Sequence, residues 1–172
     1  METGNELSVG AVFLESMINR LADYKTMGDR TLAQVSDAQL HVQPNAASNS
    51  IAIIMQHLHG NMLSRWTAFL TEDGEKPWRE RDAEFEVQQL SREALLQRWN
   101  EGWSVLFNAL QALTEHDLLK NVTIRNQSLT VVDAINRQLA HYSAHVGQIV
   151  FLGKWLVGDN WQSLSIPKAH KA

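Results

Sequence analysis

His141 and His145 stand four residues apart in the segment QLAHYSAHVGQIVFLGKW. On a helix that spacing puts both imidazoles on one face, aimed at the same small volume. Two imidazole nitrogens so placed are the beginning of a divalent metal site. A zinc or nickel centre that does chemistry needs at least a third ligand and a position left open. With seven histidines in 172 residues, random placement gives such a pair in roughly one chain of four, so the spacing alone is a weak signal. Tyr142, Ser143 and Ala144 separate the two, whereas a zincin protease carries Glu directly after its first histidine. Peptide hydrolysis of that type is disfavoured.

The third ligand has to come from another element. His57 and His59 lie in SIAIIMQHLHGNMLSRWTAFL. Being two apart on a helix, they point to nearly opposite sides, so only one of them faces the pair. The stripe Ile51, Met55, Leu58, Met62, Trp66 and Phe69 lies nearer His59 than His57, and periodicity therefore favours His59. His41, His116 and His170 fall in loops or the tail, where solvent exposure is the expected state. There is no cysteine, which removes disulfides, thiolate ligands and a protein-borne sulfur nucleophile, so a metal here must be held by His, Asp or Glu.

The elements that must position these residues read as helices. Leu7 to Met27 repeats apolar residues at helical spacing (Val9, Val12, Phe13, Met17, Leu21, Tyr24), and Gly28-Asp29 is expected to loosen it. A shorter helical piece precedes a loop at Gln43–Asn49. Asn49 or Ser50 then caps a second long helix expected to reach about Leu70. That helix is apolar over most of its circumference, as one at the centre of a bundle should be.

Thr71 to Glu86 is charged and contains Asp73-Gly74 and Lys76-Pro77, which reads as a long exposed connection of the kind that often covers a site. The third long helix, about Ser91 to Leu113, carries Leu95, Trp99, Trp103, Leu106 and Leu110 on one side, a core stripe. A single turn at Thr114–Asp117 leads into NVTIRNQSLTVV, whose alternation and central turn residues predict a short hairpin. Thr130 to Asp133 has the form of a capping box and opens the fourth helix, which bears the histidine pair and runs to about Val157. The expectation is an all-α four-helix bundle with a β-hairpin-like insertion before the last long helix. It forms one domain over residues 1–172, with a flexible tail from about 159 in which Trp161 packs against the bundle.

Composition narrows the function classes. Hydrophobic residues make up 44% and charged residues 20%, a globular balance. A formal net charge of -4 without a dense Lys/Arg cluster argues against nucleic acid as a partner. No apolar run is long enough to span a membrane, and METGNELSVG lacks the features of a secretory signal, which makes the cytoplasm the expected location. Gln138 and Gln148 lie near the histidine side of the fourth helix and could orient a ligand or an imidazole, although solvated or helix-contact glutamines are commoner. Asn61 shares the face of His57, but surface or interhelical hydrogen bonding is the ordinary role for Asn61 and Arg65 alike. Asp73 and Glu75 have the chemistry of general bases, yet acidic loops are usually just solvated.

Three strings, HLHGNMLSRW, DGEKPWR and HYSAHVGQI, together with the order of four long helices and the hairpin-like NVTIRNQSLTVVDAI, resemble the DinB-like superfamily of four-helix bundles. The closest branch is one of bacterial proteins of unknown function, related to YfiT-like metalloenzymes. The resemblance implies a divalent metal, zinc or nickel, held by His57 from the second long helix and by His141 and His145 from the fourth. That choice of His57 departs from the periodicity; the resemblance is followed because a ligand must face the cleft beside its partner helix and need not lie at the centre of the apolar stripe. The resemblance also implies a homodimer and a small-molecule substrate, with a low-molecular-weight thiol as co-substrate in a thiol S-transferase-like reaction on small electrophiles, or else a hydrolase. The alternative is a non-catalytic metal-binding or dimerisation bundle, such as a stress-related binding protein.

Overall fold

The computed structural model describes residues 8–166. Helix α1 spans Val9–Leu32, a short α2 Asp37–Leu40, α3 Ile51–Trp66, α4 Arg92–Gln111 and α5 Val131–Val157. Strands β1, Asn121–Ile124, and β2, Gln127–Thr130, form an antiparallel hairpin immediately before α5. The four long helices make a bundle in which α1 packs on α4 and α5, and α3 on α4 and α5. The two histidine-bearing helices, α3 and α5, are thus neighbours.

Local chemistry starts each element. The side chains of Ser8, Ser50, Ser91 and Thr130 accept the backbone N–H three residues on and cap α1, α3, α4 and α5. Arg125 and Asn126 both have positive φ, 55° and 61°, the two-residue turn whose twist suits a hairpin. The Asp73 carboxylate accepts from both of their backbone N–H groups, at 2.9 and 2.8 Å, and so anchors the hairpin tip to the connection between α3 and α4. The interior is lined by Leu21, Ile51, Met55, Leu95, Trp103 and Ile135, all fully buried. Burial of each large apolar side chain stabilises the fold by about 1.5–3 kcal/mol.

Two boundaries and the exposure of one connection differ from the sequence reading. Helix α1 does not loosen at Gly28-Asp29 but continues to Leu32. Gly28 lies under the Trp99 ring, where a Cβ would sit 2.6 Å from Cζ2, and the Trp99 indole N–H donates to Asp29 at 2.7 Å. The glycine is there for close helix packing, not to end the helix. Helix α3 ends at Trp66, short of Leu70, where Thr67 turns to extended backbone and Ala68 then enters the left-handed region with φ 49°. The connection after it is not uniformly exposed: Lys76 and Glu84 are buried, and Asp82–Phe85 forms one turn of 3-10 helix against α3.

His41 also departs from solvent, with its Nε2 3.0 Å from the Leu90 carbonyl. Trp161 is half-buried and approaches Gly153 of α5, while Arg30 of α1 and Gln34 just after it hydrogen-bond the backbone at Leu164, Ser163 and Gln162. The expected tail beyond residue 166, His170 included, and the expected helix start at Leu7 lie outside the described residues.

Candidate metal centre

Helix α3 is buried nearly all round, so its side chains meet neighbours on every side. The face carrying His57 turns to α5 and to the connection, and His57 is buried. His59 points away to α4, where its Nε2 lies 2.9 Å from Glu101. On α5, His141 and His145 share one face as their spacing requires. The Nε2 of His141 stands 3.1 Å from the Nε2 of His57 and 3.1 Å from the Nε2 of His145. The three rings place their ligand nitrogens within 4.8 Å of one another. Among the described residues no other such group of His, Asp and Glu side chains occurs.

The far nitrogens of two rings are occupied by acceptors. The Nδ1 of His57 lies 2.9 Å from Glu84 Oε2, and the Nδ1 of His145 lies 2.9 Å from Gln148 Oε1. An ionised carboxylate and an amide oxygen only accept, so both Nδ1 atoms carry hydrogen and both Nε2 atoms present lone pairs. His141 Nε2 has at most one proton to share between them. One of these lone pairs would then lack a protein donor. A cation at the point of convergence satisfies all three nitrogens, and imidazoles oriented through Nδ1 by a carboxylate or amide are the ordinary surroundings of such an ion. The donor set fits a divalent metal.

The electrostatics keep His141 and His145 neutral and able to ligate. Burial, then the adjacent His145 and His57, pushes His141 down to about 3. Burial and then His57 lower His145 as well, outweighing the Gln148 bond that favours its protonated form. Glu84 is held by Arg79, whose Nε donates to Oε1 at 2.7 Å and whose Nη2 donates to Oε2 at 2.8 Å. Desolvation pushes the Glu84 carboxyl up, but the His57 and Arg79 bonds outweigh it and leave it below the ordinary carboxylate range. The Phe85 ring stacks on His57 with centroids 4.7 Å apart and closes one flank. Helices α3 and α5 are tied next to the site by a relay in which Trp66 Nε1 donates to the Tyr142 hydroxyl at 2.9 Å and that hydroxyl donates to Asn61 Oδ1 at 3.0 Å.

A cavity of about 330 Å³ opens on all three histidines. Asn61, Arg65 and Gln138 line it, and the Oε1 of Gln138 is buried without a partner. An ion held by three nitrogens here would keep a coordination position toward that space.

The structure therefore brings His57, His141 and His145 together and leaves His59, His41 and His116 apart. The preference of the periodicity for His59 is overturned, since α3 is packed on every side and its apolar stripe does not mark the direction of the cleft. Gln148 bonds an imidazole although a solvated role was the commoner expectation, and Asn61 both bridges helices and lines the cavity. Asp73 and Glu75 anchor the hairpin and arginine side chains and do not line the cavity. Sequence reasoning missed Glu84, Arg79 and Phe85. Their one signal was the DGEKPWRERDAEF string itself, whose contact with His57 spans 27 residues and has no periodic signature.

The family described as "Protein of unknown function (DUF1572)" matches residues 8–170. No curated protein matches the chain. Among solved structures, a crystal structure described as that of the conserved protein of locus from Enterococcus faecalis is similar, with a TM-score of 0.64 and 16% identity. The match covers 84% of this chain and 97% of that one, and at this identity it concerns the fold alone.

Proposed function

This chain belongs to the DUF1572 family of proteins of unknown function, and from that premise we propose that it is a metal-dependent enzyme whose ion is held by His57, His141 and His145. The observation that carries this is the convergence of three Nε2 atoms, two with their lone pairs set by Glu84 and Gln148, beside an open cavity. Zinc or nickel is the expected ion, since an all-imidazole set without cysteine or a ligating carboxylate suits these borderline metals better than calcium or magnesium. When bound, such an ion supplies Lewis acidity that lowers the pKa of a coordinated thiol or water.

The chain's own residues orient and shelter the site. Glu84 and Gln148 hold two rings, Arg79 holds Glu84, and Phe85 excludes water from the His57 face. The reaction class we favour is transfer of a low-molecular-weight thiol to a small electrophile. It rests on the resemblance of HLHGNMLSRW, DGEKPWR and HYSAHVGQI to the DinB-like superfamily, and the absence of cysteine is consistent with a borrowed sulfur. A homodimer belongs to the same reading: Phe151 and Trp155, one turn apart on α5, are 71% and 54% exposed, which is unusual for large apolar side chains on one face.

The test is elemental analysis of protein purified without added metal or chelator. Near one zinc or nickel per chain, lost in His141→Ala, supports the reading and selects the metal-loaded form for thiol and electrophile screening. A metal-free protein that also fails to take up metal on reconstitution overturns it.

A further inference from the structure

Five arginines, Arg65, Arg79, Arg81, Arg125 and Arg137, line the cavity over the three histidines, and among the described residues no Asp or Glu side chain does. In a chain of net charge -4 this is a local reversal of sign. The five have different duties. Arg79 is buried and spent, with two nitrogens on Glu84 and Nη1 3.4 Å from Glu75. Arg65 is buried too; its Nη1 donates to the Gly74 carbonyl and its Nη2 to Glu75, while its Nε is buried with no partner. Glu75 is thus consumed by Arg65, Arg79 and Arg125 together.

The outer three retain capacity. Arg125 uses only Nε, on Glu75 at 2.9 Å, and neither Nη atom bonds a described residue. Arg81 lies over the Phe85 ring at 5.2 Å, and its one hydrogen bond among the described residues is to the exposed Asp82, at 3.3 Å. Arg137 is exposed and makes no hydrogen bond or ion pair with any described residue. These three come from separate segments: the connection, the hairpin tip that Asp73 anchors, and α5. A solvated face of one helix would not gather them. Guanidinium forks are matched to planar and tetrahedral oxyanions, and the partly shielded setting strengthens such bonds.

We propose that the cavity binds a small organic oxyanion, one end gripped by Arg81, Arg125 and Arg137 and the other reaching the three imidazoles. This rests on the reading of the cavity as a substrate site and names its substrate class. The volume of about 330 Å³ lies at the small end of ligand pockets, so the ligand is small. Phe85 offers the apolar surface for a short carbon chain between its ends. A thiol of this class carries one or more carboxylates beside its sulfur.

The test is calorimetric titration of the full chain as purified, with metal content measured on the same sample. The probes are succinate, inorganic phosphate, mercaptosuccinate and the uncharged analogue succinamide. Succinate and mercaptosuccinate should bind, and succinamide should bind at least about tenfold more weakly, the worth of charge-assisted bonds. Arg137→Gln and Arg81→Gln should each weaken succinate about tenfold and leave metal content unchanged, while Arg20→Gln, exposed on α1 and outside the cavity lining, should change neither. Phosphate binding as tightly as succinate, with the same losses in the arginine variants, would still support an oxyanion site but assign it to a phosphoryl end. Succinamide equal to succinate, or anion binding indifferent to both arginine variants, overturns the proposal. If metal is present and no anion binds, this inference falls and the metal reading stands; if anions bind in an arginine-dependent way to protein that takes up no metal, the reverse holds.

Discussion

The Glu84 carboxylate is 2.9 Å from the Nδ1 of His57, and Arg79 clamps the same carboxylate from behind through two nitrogens. A charged group on the connecting segment therefore sets which nitrogen of a histidine on α3 is free to bind. Glu84→Gln keeps the shape but exchanges a carboxylate acceptor for a neutral amide. Metal affinity should fall about 10- to 100-fold, read by competition with a chromophoric chelator. Glu84→Ala should in addition cost about 3 kcal/mol or more of stability, since it leaves the buried Arg79 guanidinium without its partner.

Gly60 lies one turn after His57 on α3, directly beneath Glu84. A Cβ there would stand 2.7 Å from the Glu84 carboxyl carbon. At an open helical position glycine to alanine gains up to about 1 kcal/mol. Here the carboxylate must move, so Gly60→Ala should instead lose about 1–3 kcal/mol in urea denaturation and weaken metal binding in parallel. A stabilised variant with unchanged metal affinity would show that Glu84 does not need its place.

The two histidines of HLH should behave oppositely. His57→Ala, His141→Ala and His145→Ala should each remove the metal and its contribution to thermal stability. His59→Ala should retain one metal per chain, because its imidazole pairs with Glu101 at the surface. Loss of metal in His59→Ala with retention in His57→Ala would refute the ligand assignment.

Acid should destabilise the metal-free protein in a defined window. His141 is pushed down to about 3 in the fold, mainly by burial, while in the unfolded chain it titrates near 6.5. The unfolded state therefore takes up the proton first, so stability is full above about pH 6.5 and is lost as pH falls toward 3. Thermal melts of chelator-treated protein followed by circular dichroism should fall across that interval. His141→Gln should flatten the decline.

Much of this molecule is written locally. Ser50, Ser91 and Thr130 cap their helices through contacts three residues long, and the hairpin before α5 follows from alternation around a two-residue turn. The four-residue spacing of His141 and His145 places two imidazoles together on any helix that forms, whatever surrounds it. Where a relation closes within one turn of chain, residue order suffices.

The rest needed the packed molecule. Periodicity pointed to His59 because it measures the direction of the apolar stripe, and on α3 burial on all sides separates that direction from the cleft. Gly28 reads as a break in the sequence, whereas in the fold the Trp99 ring occupies the place of its side chain. Glu84, Arg79 and Arg81 sat in what looked like a solvated acidic and basic connection, yet the first two are folded inward and the third stands at the cavity mouth. Glu84 meets His57 of α3 across 27 residues, and Arg81 shares its cavity with Arg125 of the hairpin and Arg137 of α5. Contacts of that range carry no period and no fixed spacing, so they exist as information only once the helices have packed and brought their charges to one point.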